Sequence, residues 1–362
     1  MIKVLVVEDS PVVREFLVHV LSSDPGILVV GTAKDGEDAL EAVERWKPDV
    51  ITMDIHMPKL NGFEATRRIM ESHPTPIVVV SGSWDRREVA MTFHAIEAGA
   101  LAAIPRPSGI SHPRHADSAA ELVSTVKLMS EVKVVRRWTR RSRSQVAPGE
   151  PRADLTRLRR PPAQIKLAAV GASTGGPVAL QTILSTLPRD FPVPILIVQH
   201  MAAGFTEGFV EWLTGKSNLP VCVAAQRELA LPGKAYVAPD GFQMKVDVGG
   251  NIALTQDEPE NGLRPSVSYL FRSVADVYGR NAAGVLLTGM GKDGAVELKK
   301  MNDAGAVTIA QDEESSVVHG MPGEAIQLGA ATYVLPPERI AAALTNLVRN
   351  LGNDPWTIKE EK

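Results

Sequence analysis

"GVLLTGMGKDGAVE", residues 284–297, is a short apolar run, a turn studded with glycines and the start of a helical pattern. Its spacing contains Gly289-x-Gly291-x-x-Gly294, the fingerprint with which a strand-to-helix turn holds a dinucleotide pyrophosphate. An acidic cluster at residues 312–314 follows about 20 residues on, where that motif wants a carboxylate for the ribose. The other reading places the chemistry on Asp293 and lets the glycines only turn the backbone around it. In either case a buried strand feeds a helix, the unit of a parallel α/β sheet.

The same alternation fills both ends of the chain. Strands are expected at residues 2–7, 28–32, 50–53, 77–81 and 102–104, with helical patterns near 12–21, 36–46, 63–72 and 87–98. Continuous apolar strands separated by helices imply a sheet covered on both faces. A further helix is expected from residue 116 to about 135, and then the character changes. Residues 136–160 hold nine arginines against two acids, with prolines, serines and a glycine interleaved, the composition of a flexible linker. Strands resume at 166–170, 194–198, 221–224, 234–237, 284–287, 306–310 and 332–335, with helices near 177–186, 206–215, 266–279, 294–303, 322–328 and 337–350. Alternation around Gly249-Gly250-Asn251 marks a β-hairpin. The expected organisation is a doubly wound domain at 1–125, a helix end and basic linker at 126–164, a larger Rossmann-like doubly wound domain with a hairpin insert at 165–350, and a polar tail at 351–362.

Bulk numbers narrow the partners. A net charge of −3 gives no general pull toward nucleic acid, and the basic linker offers a single aromatic, Trp138, for stacking on bases. The lone cysteine, Cys222, cannot form an internal disulfide and reads as a small buried residue in a reducing compartment. No apolar stretch approaches the ~20 residues of a membrane span and no signal peptide precedes the first strand, so a cytoplasmic protein with no membrane insertion is expected.

In the first domain Glu8 and Asp9 end the first strand and Asp54 ends the third, within "MDIHMPKLNG". Strand carboxyl ends of a parallel sheet share one edge, so these carboxylates converge, and hard oxygen ligands of that kind suit Mg²⁺. Ser81, at the end of the fourth strand, adds a hydroxyl there. Acidic pair, Asp followed by "xxMPxxxG" and hydroxyl residue together resemble the flavodoxin-like receiver domain of response regulators over residues 1 to about 125. The resemblance implies phosphorylation of Asp54 by a histidine kinase, with Mg²⁺ held by Glu8, Asp9, Asp54 and the backbone carbonyl of His56, and with Ser81 and Arg106 sensing the phosphoryl group. It departs at two places: Arg106 stands where receivers carry Lys, and Ala103 where many carry an aromatic switch residue. Arginine keeps the charge but not the shape of lysine.

In the second domain "GASTGG" follows the first strand, and Gly171-x-Ser173-x-Gly175 fits a nucleophile elbow at a helix N-terminus. The amide of Thr174 is placed to meet an oxyanion there. His200 ends the next apolar strand in "LIVQHM", and His319 is the rival base. Asp293 supplies the carboxylate that sets an imidazole tautomer, with the Met290 amide just before it. These groups come in the chain order Ser, His, Asp, unlike the order of α/β-hydrolases. The dinucleotide reading falls about 120 residues into this domain rather than on its opening strand, and leaves Ser173 and His200 idle.

"GASTGG", "VQHM", "RPSV", "LTGMGKDGA" and "GMPGEA", in that order behind a receiver and linker, resemble the chemotaxis receptor methylesterase family. What the resemblance implies is hydrolysis of glutamate γ-methyl esters on the cytoplasmic helices of a chemoreceptor by Ser173, His200 and Asp293. Some members also deamidate glutamine there, and no cofactor serves the ester reaction. The alternative is a response regulator whose output domain binds receptors without catalysis.

Overall fold

The computed structural model describes residues 1–82, 86–132, 134 and 164–349; the basic stretch at 136–160 and the tail at 351–362 lie outside the described residues. The chain divides into two compact units, Met1–Pro151 and Arg152–Lys362.

In the first unit five parallel strands, β1 (Ile2–Val7), β2 (Ile27–Ala33), β3 (Val50–Met53), β4 (Ile77–Ser81) and β5 (Ala102–Pro105), lie in the order β2-β1-β3-β4-β5. Helices α1 (Pro11–Ser22), α2 (Gly36–Trp46), α3 (Gly62–Ser72), α4 (Arg86–Ala98) and α5 (His115–Ser130) alternate with them. β3 and β4 are buried at every residue, as expected of strands covered on both faces. Side-chain caps start α2 and α3: Asp35 accepts from the Asp38 amide and Asn61 from the Glu64 amide. Strand order reverses between β1 and β3, so the crevice of the sheet opens where Glu8 and Asp54 stand.

The helix expected to about residue 135 ends at Ser130. Its last turn tightens, the amides of Glu131 and Val132 bonding back to the carbonyls of Leu128 and Met129, and the β-branched Val132, Val134 and Val135 that follow are poor helix formers. Val126 and Met129 are fully buried on this helix, so the core of the unit runs past residue 125.

The second unit is built on seven parallel strands: β6 (Leu167–Ala172), β7 (Ile195–Gln199), β8 (Val221–Val223), β9 (Ala235–Val237), β12 (Ala282–Leu286), β13 (Val307–Gln311) and β14 (Tyr333–Leu335). Their order is β14-β13-β12-β6-β7-β9-β8. The expected hairpin is β10 (Gln243–Val246) paired antiparallel with β11 (Ile252–Thr255). Helices α6 (Gly176–Thr186), α7 (Thr206–Thr214), α8 (Val267–Tyr278), α9 (Ala295–Asp303), α10 (Met321–Gln327) and α11 (Pro337–Arg349) complete it. From β6 the chain moves to β7 on one side and later returns to β12 on the other, which makes the carboxyl end of β6 a topological switch point. Cys222, expected inside, is only half-buried because β8 is an edge strand.

Candidate active site

Three adjacent strands deliver the three expected groups of the second unit. Ser173 follows β6, His200 follows β7 and Asp293 lies in the turn after β12; the backbone knits these ends together, since the His200 amide donates to Ala172 O at 2.9 Å and the Ser173 amide to Thr288 O at 3.0 Å. His200 Nε2 stands 2.9 Å from Asp293 Oδ2. A carboxylate only accepts, so the proton of a neutral His200 is on Nε2, and Nδ1 carries the free lone pair. Among the described residues no hydrogen bond joins Ser173 Oγ to the ring, a contact that is often looser before substrate arrives.

Asp293 is buried and receives more than His200. Its Oδ1 accepts from Ser266 Oγ at 2.9 Å and the Ser268 amide at 3.1 Å, and its Oδ2 also accepts from the Val267 amide at 2.6 Å. These donors are the first turn of α8, whose unpaired N–H groups and dipole favour an anion. Burial alone would push the carboxyl up, but the hydrogen bonds and charge of His200, with those of Ser268 and Val267, bring it down to about 2. The sequence reading missed Ser266, Val267 and Ser268 as supports. Their signal was present, a serine opening an amphipathic helix in "RPSV", yet nothing in it said which carboxylate the helix would face.

Glycines let these parts close up. A Cβ on Gly294 would lie 2.4 Å from Val267 Cγ1, and its φ of +82° suits glycine. A Cβ on Gly289 would lie 2.6 Å from Ser173 Cβ and 2.4 Å from Met321 Sδ. The amides of Thr174 and Met290 donate to no protein acceptor among the described residues. Met290 itself is exposed. His319 bridges to Gly289 through the backbone, and its Nε2 is buried without a partner. Two further side chains, Gln199 and Thr288, are buried against the Ser173 turn.

In the first unit Glu8, Asp9 and Asp54 bring carboxylate oxygens within 4.8 Å of one another. Burial, reinforced by the charge of Asp54, pushes the Glu8 carboxyl up to about 7 against the pull of Arg106. Burial likewise raises Asp54, again opposed by Arg106. Such acids crowded at a sheet edge lack positive charge, and an all-oxygen donor set fits Mg²⁺. Arg106 supplies part of what is missing: its guanidinium reaches Glu8 Oε2 at 3.0 Å and packs where a Cβ on Gly82 would lie 2.8 Å from its Cζ. Ser81 is buried at the end of β4, its carbonyl accepting the Arg106 amide at 2.7 Å, and His56 is exposed in the loop after β3. Ala103 pairs with Val79 in β4.

Comparison with known proteins gives the same partition. The CheB methylesterase family matches residues 168–344 and the response regulator receiver domain family matches residues 4–115. A protein-glutamate methylesterase/protein-glutamine glutaminase of Nitrosospira multiformis is 64% identical over 352 residues, covering 97% of this chain and 98% of that protein. One of the same description from Geobacter metallireducens is 60% identical, covering 96% of this chain and 99% of that protein. The crystal structure of the Thermotoga maritima CheB methylesterase catalytic domain superposes with a TM-score of 0.50 at 39% identity, covering 51% of this chain and all (100%) of that one. With relatives this similar along nearly its whole length, the chain belongs to the CheB methylesterase family, a response-regulator receiver domain followed by a methylesterase domain.

Proposed function

We propose that this protein is a phosphorylation-regulated protein-glutamate methylesterase that hydrolyses glutamate γ-methyl esters on the cytoplasmic helices of a chemoreceptor, and that it also deamidates glutamine there. The observation that carries the reading is the His200–Asp293 hydrogen bond beside Ser173 at three neighbouring strand ends of a chain in this family. Ser173 Oγ attacks the ester carbonyl while His200 Nδ1, the nitrogen not spent on Asp293, takes its proton. The oxyanion meets the amides of Thr174 and Met290, methanol leaves with the proton from His200, and water then hydrolyses the acyl-enzyme. Asp293 stays ionised, as its carboxyl near 2 supports, and steadies the imidazolium.

Asp54 is the proposed phosphate acceptor, and a histidine kinase the donor. Glu8, Asp9 and Asp54, with the His56 carbonyl, would hold Mg²⁺, which supplies the positive charge that lets an anionic phosphoryl group approach this acidic pocket. Arg106 and Ser81 would bind it afterwards. A cytoplasmic location fits this chemistry; among the described residues no helix is long and apolar enough to cross a membrane. The relatives' names speak for an enzyme and not for a non-catalytic binding output.

Methanol release from methylated receptor fragments, with and without a small phosphodonor and Mg²⁺, tests the proposal. Ser173→Ala is expected to lose several orders of magnitude in rate. The phosphodonor is expected to raise the wild-type rate and leave Asp54→Ala unchanged. Near-normal release by folded Ser173→Ala would overturn the nucleophile assignment, and an equal response in Asp54→Ala would overturn the regulation.

A further inference from the structure

The turn that carries Ser173 is held by two buried side chains to which the proposed reaction gives no task. Gln199, the last residue of β7, is 4% exposed, and its Nε2 donates to two carbonyls at once, Ser173 O at 2.9 Å and His200 O at 2.8 Å. Both partners only accept, so it is the amide nitrogen that faces them. Thr288, just past β12, is 1% exposed. Its hydroxyl donates to Thr174 O at 2.9 Å and accepts from the Val318 amide at 3.0 Å, and its own carbonyl accepts the Ser173 amide at 3.0 Å. The Thr288 amide is anchored in turn on Gln311 Oε1 at 2.9 Å.

These contacts determine a direction. In a planar trans peptide the N–H points opposite to the preceding C=O. Ser173 O is held by Gln199 Nε2 and by the Gly176 amide at 2.8 Å, so the Thr174 N–H is turned the other way, away from both donors. The carbonyl on the far side of Thr174 is fixed independently by the Thr288 hydroxyl, which leaves the residue little freedom to rotate. An amide aimed in advance is what an oxyanion requires, because donors already in place need no reorganisation as charge develops.

We propose that Gln199 and Thr288 are positioning residues that aim the Thr174 amide at the oxyanion, and that Gln199 also fixes the backbone of the base to that of the nucleophile. The inference rests on the esterase reading above. It separates them from the core in a measurable way: their loss weakens transition-state binding and leaves substrate binding alone.

The experiment compares full-length wild type with Gln199→Met, Thr288→Val and the conservative Thr288→Ser. Methanol release gives kcat and KM, and binding of a trifluoromethyl ketone peptide, which forms an oxyanion on Ser173, gives the transition-state readout. Removing one oxyanion donor costs about 10²–10³ in kcat, and a misdirected donor is expected to lose part of that, about 10- to 100-fold, with KM little changed. The ketone's affinity is expected to fall in step with kcat, and Thr288→Ser to keep wild-type behaviour. Folding is checked by thermal melting; should Gln199→Met fail to fold, the Thr288 pair decides. Unchanged kcat and ketone affinity in a folded variant, or a loss confined to KM, would overturn the inference while leaving the esterase reading intact. A wild type that releases no methanol and binds no ketone would overturn both.

Discussion

Replacing Asp293 by Asn keeps its size and removes its charge, and the structure bounds the result. Four donors converge on the carboxylate, His200 Nε2 and the Val267 amide on Oδ2, Ser266 Oγ and the Ser268 amide on Oδ1. Asn offers one acceptor oxygen, so its NH₂ meets a backbone N–H wherever it is placed. On the Oδ1 side the Ser266 hydroxyl turns and accepts, the Ser268 amide loses its partner, and His200 keeps its tautomer. On the Oδ2 side the Val267 amide is orphaned and His200 must move its proton to Nδ1, where it no longer takes one from Ser173. The first arrangement loses the charge alone, the charge that holds this carboxyl down at about 2 against burial, and a hydrogen bond to a charged group contributes about 1.5–3 kcal/mol, about 10- to 100-fold. The second also loses the tautomer, for which serine hydrolases lose about 10⁴-fold. The expected fall in kcat for methanol release therefore lies between about 10-fold and about 10⁴-fold, with about 1–3 kcal/mol of stability lost to the orphaned amide. A folded Asp293→Asn within about threefold of wild type would refute the reasoning.

The same carboxyl sets a pH signature. Its folded value lies below 3.8, so its contribution to stability is complete above that pH and is lost as pH falls through about 2. Urea unfolding should show a constant gap between wild type and Asp293→Asn at neutral pH that closes under acid. Ser266→Ala removes both the cap of α8, which accepts from the Tyr269 amide, and one donor to Asp293; about 0.5–2 kcal/mol of stability should go, with a smaller loss of kcat than in Asp293→Asn. Gly62→Ala would place a Cβ 2.0 Å from Asp54 O, so the loop after β3 must shift and phosphodonor labelling of Asp54 should fall while unstimulated esterase activity persists.

How much of this was legible in the sequence depends on the distance over which each feature is decided. β1, β3 and β4 begin and end where their apolar runs do, because period and punctuation are local signals. Ser173, His200 and Asp293 could be placed on one edge because strand ends of a parallel sheet share it. What supports them could not. The α8 amides reach Asp293 across 25 and 26 residues and Arg106 reaches Glu8 across 98, through sheet order and side-chain packing that no local window contains. The early stop of α5 at Ser130 is a failure of another kind: apolar spacing continued after propensity had given out.

The glycine spacing in residues 284–297 shows why a motif alone left two readings open. A dinucleotide fingerprint uses glycines so that a backbone can approach a phosphate. Here the space a side chain would fill is taken by the protein's own atoms: Ser173 and Met321 beside Gly289, Val267 beside Gly294. Gly289 thus brings the turn against the serine, and Gly294 admits the first residue of the helix whose amides hold Asp293. Each glycine shortens a distance on which the proposed triad depends. An alanine at Gly294 would have to displace Val267, and with it a 2.6 Å hydrogen bond to the carboxylate, so Gly294→Ala should lower kcat in the same sense as Asp293→Asn. If Gly294→Ala folded and kept wild-type methanol release, the close approach of Val267 to Asp293 would have no part in the reaction.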